Sequence, residues 1–238
     1  EAYEQLAALK GQEGDLAGAV EAQRSALDLW PDNRALCATL CDLLERASRH
    51  EELAEMLEKS AALATEEDVA PTLRRLIGAR RRLGDLPATA DALRRLLAVE
   101  PDDVEALGLL GETYGEMQDP EGQAGVLRHL AQIQKDPRQA ARFFVQASHL
   151  IKPEKGGVER AEALLREALE RDAKNVDALV ALETIYTERN DAPALAGVLG
   201  RVAAAVADPR ARAQRLLRRA EILFDSLNRP AEAIADAR

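Results

Sequence analysis

Residues 104–137, VEALGLLGETYGEMQDPEGQAGVLRHLAQIQKDP, decide how the chain is read, because residues 176–209, VDALVALETIYTERNDAPALAGVLGRVAAAVADP, repeat them without a gap. Leu107 falls on Leu179, Tyr114 on Tyr186 and Asp119 on Asp191. Gly125-Val126-Leu127 falls on Gly197-Val198-Leu199, and Asp136-Pro137 on Asp208-Pro209. A slightly shifted third copy runs from Ala35-Leu36 to Leu53-Ala54-Glu55-Met56-Leu57. Self-similarity at a fixed period marks a repeat architecture, and it constrains the fold before local propensity is weighed.

Between these copies lie segments of a second kind, at 1–33, 69–103, 138–175 and 210–238. Three of them share a turn-plus-helix phrase: GDLAGAVEAQRSALDLWPDN from Gly14, GDLPATADALRRLLAVEPDD from Gly84 and GGVERAEALLREALERDAKN from Gly156. The units are therefore 1–33, 34–68, 69–103, 104–137, 138–175, 176–209 and a shortened 210–238. Each reads as helix, turn, helix. In the first, Tyr3, Leu6, Ala7 and Lys10 share a helical face. Gly14-Asp15 interrupts that period; Ala19, Gln23, Ala26 and Leu27 resume it, and Trp30-Pro31 ends it. The expected fold is all-α, an α-solenoid of about seven antiparallel helix pairs.

Composition agrees. The 238 residues are 47% hydrophobic but only 3% aromatic, and Ala and Leu dominate where strand formers are scarce. No apolar run of about 18 residues exists, so no membrane-spanning helix is expected. Glu1 opens with neither a basic stretch nor an apolar one, so no signal peptide is visible. The formal net charge of -10 argues against nucleic acid, whose phosphates need a basic footprint. Two cysteines in a chain this long suit a reducing, cytoplasmic setting rather than a disulfide scaffold. The 26 Arg against 6 Lys, with so much Ala, suit a high-GC bacterial source.

These residues resemble the tetratricopeptide repeat, a helix pair of about 34 residues with large, small and proline positions at fixed spacings. The first unit supplies Tyr3, Leu6, Ala7, Gly14, Ala19, Ala26 and Pro31. The fourth supplies Leu107, Leu110, Gly111 and Tyr114, and the fifth Ala147, Ala161 and Ala168. The aromatic position is filled only by Tyr114 and Tyr186, and the turns at 152–158 and 225–229 carry extra residues. The resemblance implies a right-handed superhelix whose first helices line an inner groove that holds a peptide or a partner helix.

No residue pattern points to catalysis, a cofactor or a metal. Cys37 and Cys41 lie four apart at core positions, and a zinc site needs about four ligands. His50, His129 and His149 are scattered, and Gly156-Gly157 is a turn rather than a phosphate loop. Trp30 reads as packing its turn. The repeat register places Arg74, Gly78 and Arg81 on the groove, with Glu112 facing them from the next repeat. Two accounts are open: charge pairing between adjacent repeats, or a basic groove for an acidic peptide. Farther on, the same register gives Phe144, Ile151, Val180, Leu217 and Phe224, an apolar stripe suited to an amphipathic helix. A one-residue error of register would return these side chains to the core. The expected function is a non-enzymatic scaffold that binds a peptide or helix in its groove, with self-association open through uncapped ends. The alternative is a regulatory or substrate-recruiting segment attached to a catalytic or signalling domain outside this chain.

Overall fold

The computed structural model describes residues 2–236. The helix edge expected at Glu1 and the last two residues of the helix expected from Ala231 to Arg238 lie outside them. Among the described residues there are fourteen α-helices and no strand. The contacts divide the chain into two compact units, Glu1–Gln118 and Asp119–Arg238. The first holds α1 (Ala2–Glu13), α2 (Leu16–Leu29), α3 (Arg34–Arg46), α4 (His50–Leu63), α5 (Glu66–Leu83), α6 (Leu86–Val99) and α7 (Val104–Glu116). The second holds α8 (Pro120–Ile133), α9 (Pro137–Ile151), α10 (Gly157–Arg171), α11 (Val176–Glu188), α12 (Ala192–Ala205), α13 (Pro209–Glu221) and α14 (Pro230–Asp236). Within each unit, helices consecutive in sequence pack on one another.

The turns inside the pairs share one device. Each contains a residue in the left-handed region: Gly14, Ser48, Gly84, Gln118, Gly156, Asn190 and Asn228. A left-handed residue after a helix ends its hydrogen-bond ladder and turns the chain back. In four turns an aspartate follows directly and caps the next helix. Asp15 accepts from the Gly18 N–H (2.8 Å), Asp85 from Ala88 (3.1 Å), Asp119 from Gly122 (2.9 Å) and Asp191 from Ala194 (3.1 Å). Between pairs the capping side chain is Asn33, Asp103, Asp136, Asn175 or Asp208, whereas Thr65 before α5 makes no side-chain cap bond.

Three unit boundaries move. The third pair begins at Glu66 rather than at 69, because Glu66, Glu67 and Asp68 favour the positive end of the helix dipole. Pro137 and Pro209 each open a helix instead of closing the unit before it, since proline suits the first helical position. The extra residues expected near 225–229 are absorbed in part by a π turn at Ile222–Ser226.

The core of the first unit is built largely of leucine: Leu40, Leu44, Leu53, Leu57, Leu73, Leu76, Leu93 and Leu96 are fully buried. Each contributes roughly 1.5–3 kcal/mol by leaving water. In the second unit Phe144 and Ile151, each 1% exposed, join Leu165, Leu179, Leu182 and Leu199. This corrects their placement on a groove. Helix α9 packs against both α8 and α10. Its buried set, Ala140, Ala141, Phe144, Val145, Ala147, Ser148 and Ile151, is correspondingly wide.

Candidate partner-binding surface

In the first unit the Arg-rich stretch is mostly spoken for. Arg74 on α5 bonds Glu100 and lies 2.8 Å from Asp103, tying its helix to the α6–α7 turn. The bonds to Glu100 and Asp103 raise the Arg74 pKa above its ordinary value. Asp103 also accepts the Ala106 N–H, and this bond, followed by Arg74, holds its carboxyl below the usual range. Arg75 reaches back to Asp42 (2.8 Å) and Glu45 (2.9 Å) on α3. Arg34 pairs with Asp68, and Arg95 with Glu58 (2.7 Å). For these side chains, charge pairing between neighbouring repeats is the observed arrangement. Arg81 and Glu112 are exposed, and neither forms an ion pair among the described residues. Glu112 therefore does not face Arg74 as a partner, because Glu100 and Asp103 already occupy that guanidinium.

Several openings lie beside α3. One, of about 430 Å³, lies between α1 and α3, where apolar Ala7, Leu36 and Leu43 alternate with Glu4, Gln12 and Arg46, and Arg46 donates to the Gly11 carbonyl across it. Another, of about 260 Å³, lies among α3, α4 and α5 and includes Cys37 and Cys41. Both thiols are free and buried. Burial pushes both pKa values up, which keeps the sulfurs protonated near neutral pH.

In the second unit the expected stripe separates. Phe144 and Ile151 are core, and Val180 is half-buried against it. Leu217 and Phe224 are 59% and 63% exposed. Ala220 and Leu223, on the same turns, point inward. The neighbouring arginines are paired: Arg215 (3.2 Å) and Arg218 (3.5 Å) meet Glu183 on α11, and Arg219 meets Asp236 (2.8 Å) on α14. A denser network joins α10 to α11. Buried Glu162 accepts the Tyr186 hydroxyl at 2.9 Å and takes both Arg166 and Arg189. Burial raises the Tyr186 pKa, and Glu162 raises that of Arg189.

Trp30 does not pack its turn as expected. It is the C-cap of α2 and is 51% exposed, because the cap lies beyond the last turn that faces the core. Gln23, on the helical face shared with Ala19, Ala26 and Leu27, is a fully buried polar side chain at the position that Leu93 and Leu165 hold in the related helices α6 and α10. Among the described residues no three His, Cys, Asp or Glu are grouped to hold a metal. None of the helices described is long and apolar enough to cross a membrane.

No family model matches the sequence, and no curated protein matches it. Solved structures do. A structure of Naa15/Naa10 bound to HypK-THB is similar over 99% of this chain and 35% of that one, at 16% identity and a TM-score of 0.53. A tetratricopeptide repeat protein from Parabacteroides merdae is similar over 98% and 90%, at 16% identity and a TM-score of 0.42. MamA is similar over 73% and 91%, at 22% identity and a TM-score of 0.43. At these identities the likeness concerns the fold alone, an all-α arrangement of stacked helix pairs.

Proposed function

We propose that this tetratricopeptide-type solenoid is a non-enzymatic interaction module, and that its first-helix faces bind a peptide or helix of a partner protein. The exposure of Leu217 and Phe224 carries the reading. These residues stand on α13 and on the π turn that follows it, and we read large apolar side chains left in water there as a surface that a partner covers. On the first unit taken by itself, Arg81, without an ion pair among the described residues, favours a ligand that carries an acidic residue. Tyr3, Leu6 and Leu9, exposed on α1, supply a surface for self-association. The free cysteines Cys37 and Cys41 fit the reading of a reducing, cytoplasmic setting.

The test is a selection from a random peptide display library on the whole chain. The selected peptides are then titrated against wild type, Leu217→Ala/Phe224→Ala, Arg81→Glu and the second-helix control Glu55→Arg. Loss of an apolar anchor should cost about 2 kcal/mol, roughly 30-fold in Kd. Arg81→Glu should slow association and flatten its salt dependence. If all four proteins bind the peptides alike, the first-helix faces are not the binding surface.

A further inference from the structure

The exposed face of α13 carries charge as well as apolar groups. Leu217, Glu221 and Phe224 stand at i, i+4 and i+7, the spacing of a single helical face, and all three are exposed. Phe224 reaches this face on the π turn. There the Leu227 N–H donates to the Ile222 carbonyl at 3.1 Å, five residues back, while Leu223 stays inside at 1% exposed. The arginines that follow along α13 do not supply a counter-charge. Arg212 donates to the carbonyls of Ala203 (3.0 Å) and Val206 (3.1 Å), and Arg215, Arg218 and Arg219 are held by Glu183 and Asp236. Among the described residues neither Glu221 nor Asp225, exposed beside Phe224, forms an ion pair. Arg210 lies on the same stripe, but about two turns before Leu217 and beyond the apolar pair.

We propose that this face binds a partner helix of definite chemistry, with apolar residues at i and i+7 and lysine or arginine between them. The inference rests on the interaction reading above and names the charge of the helix recognised. Leu217 and Phe224 are about 10 Å apart along the helix axis, so a facing helix meets them with residues at the same spacing. The turn between its anchors then lies over Glu221. A cation there answers a carboxylate that has no ion-pair partner, whereas an acid would meet like charge. A second copy of this chain fits the face poorly. Laid antiparallel with Leu217 on Phe224, it would set Glu221 against the partner's Glu221.

The experiment is a nitrogen-15 NMR titration of the whole chain with two defined peptides. Both are alanine-based helices with leucine at i and i+7; one carries arginine at i+3 and i+4, its twin glutamate. The expected result is saturable shifts centred on the amides of Leu217, Glu221 and Phe224, with the arginine peptide tighter by roughly 3- to 10-fold. The net charge of -10 would favour a basic peptide anywhere on the surface, so a charge swap decides. Glu221→Arg should erase or reverse the preference, and Leu217→Ala/Phe224→Ala should remove the shifts for both peptides. All three positions are exposed, and circular dichroism checks that the variants keep their helices. Equal affinities in wild type, an arginine preference that survives Glu221→Arg, shifts centred elsewhere, or no shifts each overturn the proposal. So does a concentration-dependent dimer in sedimentation that Phe224→Ala abolishes, since a second copy then covers the face. The two readings fail separately. Selected library peptides that need Leu217 and Phe224, with equal binding of the two helices, remove the charge preference and leave the interaction module. Selected peptides indifferent to every variant, with neither helix shifting α13, remove the interaction reading itself.

Discussion

Phe144 and Phe224 occupy similar stretches of sequence, yet a substitution reads them as opposites. Phe144 is enclosed among helices α8 to α10, whereas Phe224 stands in solvent on the π turn. Phe144→Ala should lower the stability of the second unit by about 3–5 kcal/mol, by lost transfer energy plus a cavity. Phe224→Ala should change it by under about 0.5 kcal/mol. Urea denaturation monitored by circular dichroism separates them, and equal losses would return Phe224 to the core. Glu162 supplies a second contrast at this scale. It is the acceptor for Tyr186, Arg166 and Arg189 at once, and its removal strands charge and hydroxyl together. Glu162→Ala should cost about 2–4 kcal/mol and Glu162→Gln less, because the amide still accepts from Tyr186. A loss below that of an exposed pair such as Arg94–Asp91 would mean the network is only decorative. Single residues were also where sequence reading was weakest. Phe143 and Phe144 are adjacent, and the Ala-rich stretch around them permits two helical faces. Only the packing of α8 and α10 on α9 chooses between those faces.

At the scale of elements the pattern was legible, because turn chemistry is written in short range. Gly14-Asp15 and Gly84-Asp85 announce a left-handed residue followed by a cap. The gapless copy of 104–137 at 176–209 carries Gln118-Asp119 onto Asn190-Asp191 in the same role. The beginning of α5 was less legible, since its acidic first turn resembles a solvated loop until the dipole is considered. Ion pairs were least legible. Composition shows a run of arginines, but the pairing of Arg74 with the α6–α7 turn needs the stacked helices in place. The turns yield an ordered stability series. Ser48, Gln118 and Asn190 hold φ of 56°, 55° and 53°, where an L side chain crowds its own backbone. Gln118→Gly and Ser48→Gly should each raise stability by about 0.5–1 kcal/mol. Asn190→Gly should give less, because asparagine tolerates this region. Gly84→Ala, at φ 69°, should lose about 1–2 kcal/mol. Thermal melting of the four variants checks the order, and a Gln118→Gly variant that melts below wild type would sink it.

Carboxylates along the chain cap helices or bridge repeats, and Asp103 does both, so acid should act on many joints together. Asp15 is held below the usual carboxylate range chiefly by the Gly18 N–H, Asp103 chiefly by Ala106, and Glu121 chiefly by Arg160. A carboxyl whose pKa is lower in the folded chain than in the unfolded one stabilises the fold above its ordinary value, about 4. That contribution fades as pH falls through the folded value, when the native state must take up protons it binds weakly. Individual exposed pairs are worth little, so no single substitution should reproduce the effect. Repeats held by nearest-neighbour contacts add such increments along the stack. The melting temperature should therefore be nearly flat from pH 8 to about 5, then fall steadily below about 4. Asp15→Asn/Asp103→Asn should flatten that decline, because asparagine still caps a helix but has no proton to gain. Melting followed by circular dichroism from pH 8 to about 2.5, for wild type and the double variant, provides the measurement. A stability loss that begins above pH 6 would show that these carboxyls do not carry the effect. An identical acid slope in the double variant would show that these two caps do not carry it.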